Sequence, residues 1–227
     1  MFVQPWDASL DAAEWRTWIA DGHDFGQLTV NGPPGRPPVA VPTHFTVDPT
    51  VDPTEVSTDG GNHLLIHLAR PNPVWKAIED DPNVLFTVFG DYAFVPGPWR
   101  AGAGTPPADG VPTSYFTAVQ FTCRAHLVDD PEAKAELLRR QLAHFQPGGD
   151  HAPVAVDRPP YGRMLSGIRG LRLEVTDVQA KFKYDDHKPV EHRGAVADRL
   201  TARGQGLDVP TARQQRRRMD RVGPWEP

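Results

Sequence analysis

The stretch NVLFTVFGDYAFVPG, residues 83–97, decides the fold. It is rich in β-branched and aromatic residues, and Gly90 interrupts it midway. A long strand with a corner, as at a bulge or the bend of a barrel, is what such a run predicts. Two more runs match it in kind: TSYFTAVQFTCRAHLVDD at 113–130 and LRLEVTDVQAKFKYD at 171–185. Shorter strands are predicted at FGQLTVNG (25–32), VAVPTHFTVD (39–48) and HLLIHLAR (63–70). Pro42 suits an edge or a bulge in the second of these. The nearly continuous apolar run of the third predicts cover on both faces.

Helices are predicted at the margins. Residues 7–22 carry a rough apolar stripe, with Asp7 as the expected cap. PNPVWKAIEDD (71–81) starts after Asn72, PEAKAELLRRQLAHF (131–145) after Asp130, and YGRMLSGIRG (161–170) is short. The 25 prolines cluster at 31–42, 47–55, 95–112 and in the tail, so these segments are loops. About six strands, two of them very long, give a mainly β protein with flanking helices (α+β), built as a closed or split barrel. The expected domain covers 1–204. Residues 205–227 are polar and arginine-rich, and are expected to be mobile or to wrap a partner subunit.

Composition excludes several classes. A net charge of -5 offers no global field for nucleic acid, and no helix-turn-helix pattern is visible. The one cysteine, Cys123, allows neither an internal disulfide nor a cysteine metal cluster. No apolar run approaches the ~20 residues of a membrane helix. The N-terminus reads as no signal peptide, and a cytoplasmic protein is expected. Glycine-rich phosphate loops, nucleophile elbows and paired-histidine zinc motifs are missing from the sequence.

What remains is polar residues on strands. His63 and His67, four apart, share a strand face and suit a metal or haem iron. They equally suit core imidazoles that donate to carbonyls. Arg70, just ahead of a helix start, can seat an anion or lie on the surface. Thr113, Tyr115 and Thr117 alternate with Ser114 and Phe116, either lining a ligand or forming an amphipathic surface. Lys181 and Lys183 can meet anionic groups or guard an edge strand.

Several stretches fall in the order found in one family. GNHLLIHLARPNPVWKAI (61–78), DYAFVPGPW (91–99), VPTSYFTAVQFTCRAHLVDD (111–130), RMLSGIRGLRLEVTDVQAKFKYDDHKP (163–189) and HRGAVADRL (192–200) resemble the PaiB-like proteins, FMN-binding negative transcriptional regulators. These are split-barrel relatives of the pyridoxamine phosphate oxidases. The resemblance covers most of 1–204 and implies a split β-barrel homodimer with cofactor sites at the dimer interface.

The flavin-type members read V-P-T-W-N-Y where this chain has VPTSYF, and G-K-W-K-L-S-Q-N-R where it has AKFKYDDHK. Polar contacts suited to a flavin are thereby lost. The chain is more similar to the piperazate synthases, which carry haem b and close N5-hydroxy-L-ornithine to piperazic acid. That resemblance implies haem b as cofactor, with FMN the alternative, and His67 as the axial metal ligand, with His63 and His44 in reserve. It further implies Arg70, Thr113 and Lys181 as cofactor contacts and Lys183, Tyr115 and Ser114 as catalytic or pocket residues. An FMN-binding regulator and a haem-binding or haem-degrading split barrel are the alternatives.

Overall fold

A computed structural model describes residues 1–48 and 63–222. The proline cluster expected to form a loop at 47–55 lies mostly outside the described residues, as do 223–227. The elements, in chain order, are α1 (Ala12–Ala20), β1 (Phe25–Val30), β2 (Val39–His44), β3 (Thr46–Val47), β4 (His63–Ala69), α2 (Val74–Asp80), β5 (Asn83–Val95), α3 (Gly97–Arg100), β6 (Thr113–Val128), α4 (Pro131–Phe145), α5 (Tyr161–Met164), β7 (Ile168–Lys183), α6 (Val190–Arg203) and α7 (Asp208–Met219). Short 3-10 turns lie at Pro5–Asp7, Pro107–Asp109 and Leu165–Gly167. The strands form one sheet in the order β2-β1-β5-β6-β7-β4-β3.

The chain divides into two compact units rather than one domain and a tail. The first comprises Met1–Trp15, Phe89–Val119 and Gln179–Pro227; the second comprises Arg16–Val88 and Gln120–Val178. β5, β6 and β7 each continue from one unit into the other.

In the second unit, β1 pairs antiparallel with β2 and with β5, and β4 pairs antiparallel with β3 and with β7. Pro42 lies in β2, an edge strand, where its missing N–H costs no ladder bond. Gly26 allows a close approach: a Cβ there would lie 2.7 Å from both the Phe86 ring and the Thr87 carbonyl oxygen. α4 is capped as its sequence predicts, the Asp130 Oδ1 accepting from the Ala133 N–H at 2.9 Å. Its inner face buries Lys134, Ala135, Leu137 and Gln141. Gly170, paired with His67, lets that face come close, since a Cβ would already lie 3.0 Å from Leu137 Cδ1.

In the first unit, the expected corner in β5 falls beside Gly90, at Asp91, whose φ is +51°. The buried side of the strand changes there: Val84, Phe86 and Val88 are buried before it, and Asp91, Ala93 and Val95 after it. α6 buries Val196, Ala197 and Leu200, and Gly204 (φ +60°) ends it by donating to the Leu200 carbonyl.

Two expectations need correcting in this unit. Asp7 caps no helix: Asp11 does, accepting from the Glu14 N–H at 2.8 Å, and Asp7 is buried. The expected mobile tail is, over its described residues, helix α7, with Thr211, Gln215 and Arg218 buried along one side. Each of these side chains makes at least one hydrogen bond, which is how a stripe without large apolar residues can be buried; Gln215 Oε1 alone among their polar atoms has no partner among the described residues. Thr211 Oγ1 donates to the Asp91 carbonyl at 2.7 Å, Gln215 Nε2 to the Tyr184 carbonyl, and Arg218 to Glu14 and Asp186.

Candidate functional site

β4 carries His63, Leu65 and His67 on one face, as strand alternation requires. His67 is half-buried, and its Nδ1 lies 2.6 Å from Gln141 Oε1 on α4. The other end of that carboxamide, Nε2, donates to the Leu65 carbonyl at 3.1 Å. A carbonyl only accepts, so the amide cannot be flipped without setting two acceptors together. Oε1 therefore faces His67, and His67 must donate to it from Nδ1–H. In the neutral ring this leaves the lone pair on Nε2, and among the described residues no hydrogen bond reaches that atom.

Around His67 stand other rings. His44 meets it edge-on with centroids 5.2 Å apart, and Phe145 meets His44 at 5.0 Å. Burial, with help from His67, lowers the His44 pKa below the ordinary histidine value. Two metal–nitrogen bonds of ~2 Å plus two half-rings exceed 5.2 Å, so His44 and His67 cannot ligate one iron from opposite faces. His144 pairs with Asp24 at 3.0 Å. Among the described residues no three His, Cys, Asp or Glu side chains gather to hold a bare ion. An iron already held by a porphyrin needs only one such imidazole, and His67 fits that requirement.

Arg70, expected to seat an anion, is occupied by backbone. Its Nε donates to the Ser166 carbonyl at 2.8 Å, and its guanidinium lies 3.7 Å from Asp129. The turn ahead of α2 is closed by Asn72 Oδ1, which accepts from the Val74 N–H. His63, at the start of β4, has its pKa lowered by burial and by the nearby Arg172.

The other sequence-predicted residues belong to the first unit. Lys183 Nζ donates to Thr113 Oγ1 at 3.0 Å and lies 5.9 Å from the Phe116 ring centroid. Lys181 lies 5.8 Å from the same centroid, donates to the Phe2 carbonyl and stands 3.7 Å from Asp7. Burial pushes the Asp7 carboxyl up to about 6, against the pull of Lys181 and Lys183. Ser114 is half-buried.

Tyr115 was expected to line a ligand pocket, and that expectation is corrected. It is fully buried, and its hydroxyl donates to Asp185 Oδ2 at 3.0 Å. Arg100 grips the same carboxylate through Nε and Nη2 at 2.7 and 3.0 Å. Burial and the Asp185 charge hold the Tyr115 phenol far above its ordinary pKa, so it remains a donor. Thr117 is likewise inside, bonded to the Tyr184 hydroxyl at 2.7 Å.

Behind this lies a second closed group. Asp186 accepts from Arg193 and Arg218, and Arg218 also binds both oxygens of Glu14 at 2.7 and 2.8 Å. Among the described residues, His187 Nδ1, His192 Nε2 and Arg193 Nε are buried in the same unit without hydrogen-bond partners, and burial lowers the pKa of both histidines.

Gln141 escaped the sequence reading, and Asp7 was read there only as a helix cap. Gln141 had a signal: a polar residue on the apolar face of an amphipathic helix. Asp7 had none.

The sequence model described as "Putative FMN-binding domain" matches residues 1–177. The chain is 27% identical over 165 residues to the protease synthase and sporulation protein PAI 2 of Bacillus subtilis (strain 168), covering 71% of this chain and 74% of that one. Among solved structures, the flavocytochrome Anf3 from Azotobacter vinelandii is similar with a TM-score of 0.57 and 20% identity, over 80% of this chain and 72% of that one. The FAD and haem binding protein from Mycobacterium smegmatis is similar with a TM-score of 0.50 and 18% identity, over 74% of this chain and 71% of that one. The expected mainly antiparallel split-barrel fold with flanking helices is borne out. Among the described residues no helix is long and apolar enough to cross a membrane.

Proposed function

This chain belongs to the FMN-binding domain family whose model covers residues 1–177, and from that premise we propose that it is a haem-dependent piperazate synthase. It closes N5-hydroxy-L-ornithine to piperazic acid with loss of water. One observation carries the choice of haem: Gln141 holds His67 by Nδ1, leaving Nε2 as an open ligand atom. Two similar structures, a flavocytochrome and an FAD and haem binding protein, support haem on this fold.

Haem iron, when bound, supplies a Lewis acid that polarises the N–O bond of the hydroxylamine. His67 would hold the metal from a strand, which would fix the direction of the ligand bond. Lys181 and Lys183, two ammonium groups over Phe116 in the first unit, offer a seat for a carboxylate or another anion. Anchoring the carboxylate restricts the substrate chain's rotamers so that the α-amine stays within reach of N5 in a ring closure that is already intramolecular. Thr113 holds Lys183 in place, and Ser114, next to it in sequence, is a further hydroxyl for this role. The reading includes a homodimer, which the exposed aromatic side chains Phe89, Tyr92 and Phe94 of β5 support.

A second reading keeps FMN and a regulatory role. The family description and the resemblance to PAI 2 favour it, and two lysines suit a phosphate as well as a carboxylate. One experiment separates the two. The protein is produced with haem precursor, its absorption spectrum recorded, and N5-hydroxy-L-ornithine added. A Soret band that moves on reduction, is lost in His67→Ala, and accompanies a product lighter by one water is the expected result. A flavin spectrum, with FMN released on denaturation and no such product, overturns the synthase reading.

A further inference from the structure

We propose that Gln141 is the positioning residue of His67: it presets the imidazole as the Nδ1–H tautomer and so selects Nε2 as the atom presented to a metal. The tautomer follows from geometry alone; the identity of what Nε2 meets rests on the haem reading above.

A buried carboxamide is costly unless both its ends are satisfied. Gln141 is only 3% exposed, on the face of α4 that also buries Leu137 and Ala135. Leucine would fill that position without any polar group to satisfy. Both bonds of the Gln141 side chain go to the strand that carries His67, one to the Leu65 carbonyl and one to His67 itself. The first anchors the amide and the second orients the ring. Gly170, opposite His67 in the ladder, provides the space that brings this part of α4 near β4.

The arrangement does two things. It removes the tautomer that free imidazole prefers, in which Nε2 carries the proton and cannot ligate. It also makes the ring a better donor once ligated, because Nδ1–H is polarised by the amide oxygen.

The test begins on the protein without cofactor. Two-bond nitrogen–proton correlation spectra of ¹⁵N-histidine-labelled protein report the His67 tautomer. Wild type is expected as Nδ1–H, and Gln141→Leu as mostly Nε2–H. Haem titration then gives a second readout: Gln141→Leu weakens binding roughly 10- to 100-fold and raises the reduction potential of the bound haem. Gln141→Glu, a stronger acceptor, retains haem and lowers the potential; it also carries the test should the leucine variant fail to fold. A wild-type His67 found as Nε2–H overturns the proposal. So does a folded leucine variant with unchanged affinity and potential. If wild type binds no haem, the haem reading fails while the tautomer result still decides the role of Gln141.

Discussion

The polar residues around His67 and those around Asp185 and Asp186 look alike in the sequence, as scattered charged or polar side chains, yet the structure completes them differently. The chain from Leu65 through Gln141 to His67 ends on an open nitrogen. Asp185 accepts from Arg100 and Tyr115, while Asp186 and Glu14 are matched by Arg193 and Arg218, two negative charges against two positive. The difference teaches that an unmet donor or acceptor marks a ligand site better than density of polar groups does. The second group strengthens the first unit, and in the proposed reading the His67 group receives a ligand. His187 and His192, each with an unpartnered buried nitrogen, and Arg193 Nε and Gln215 Oε1, unpartnered beside the ion pairs themselves, are where this contrast is most open to challenge.

The hardest test of the contrast is Arg218→Ala. It leaves Asp186 short of one partner and Glu14 facing no guanidinium, both inside the protein. Breaking a buried ion pair from one side costs about 3–5 kcal/mol. For a chain of this size the melting temperature should fall by roughly 6–20 °C, read by circular dichroism, with haem per folded protomer unchanged. Loss of haem without loss of stability would turn the closed group into a binding site. A smaller effect is expected for Tyr115→Phe. It takes one donor from Asp185 and leaves both Arg100 bonds, at a cost of about 1–2 kcal/mol. Product formation should persist. A roughly tenfold fall in kcat at unchanged melting temperature, equivalent to about 1.4 kcal/mol on the barrier, would return Tyr115 to the catalytic role its sequence position suggested.

Period and punctuation made the strands legible. Gly90 marked the corner of β5, which falls at the next residue, and Pro42 marked an edge. Asp130 marked the start of α4. The C-terminal helix was not legible, because its buried stripe of Thr211, Gln215 and Arg218 is polar and hydrophobic periodicity does not register it. α6 was missed as well, since Val196, Ala197 and Leu200 form a short apolar stripe among charges. At the candidate site, spacing placed His63 and His67 on one face but could not choose between them. The choice depends on Gln141, which is 74 residues away in sequence and meets His67 only once α4 lies over β4. Tyr115 misled because alternation tells which residues share a face and not whether that face is interior.

Asp7 gives the finest test, since it stands between the two kinds of group: buried like the closed one, near lysines proposed to bind an anion. Its pKa is raised from 3.8 to about 6, chiefly by burial. The folded protein thus holds this proton where the unfolded chain has already released it. Because the native state binds more protons between about pH 4 and 6, stability must fall as pH rises through that window. The carboxamide of an Asp7→Asn variant would mimic the neutral acid and show no such fall. Urea unfolding of Asp7→Asn and wild type should therefore coincide near pH 4 and diverge by about pH 7. The variant should then be the more stable by on the order of 1 kcal/mol, since solvent relaxation reduces the full linkage value. Parallel profiles across the window would mean that Asp7 is ionised at little cost in the folded state. In that case its carboxylate is available to Lys181 and to whatever Lys181 binds, and the first unit too would contain an open site.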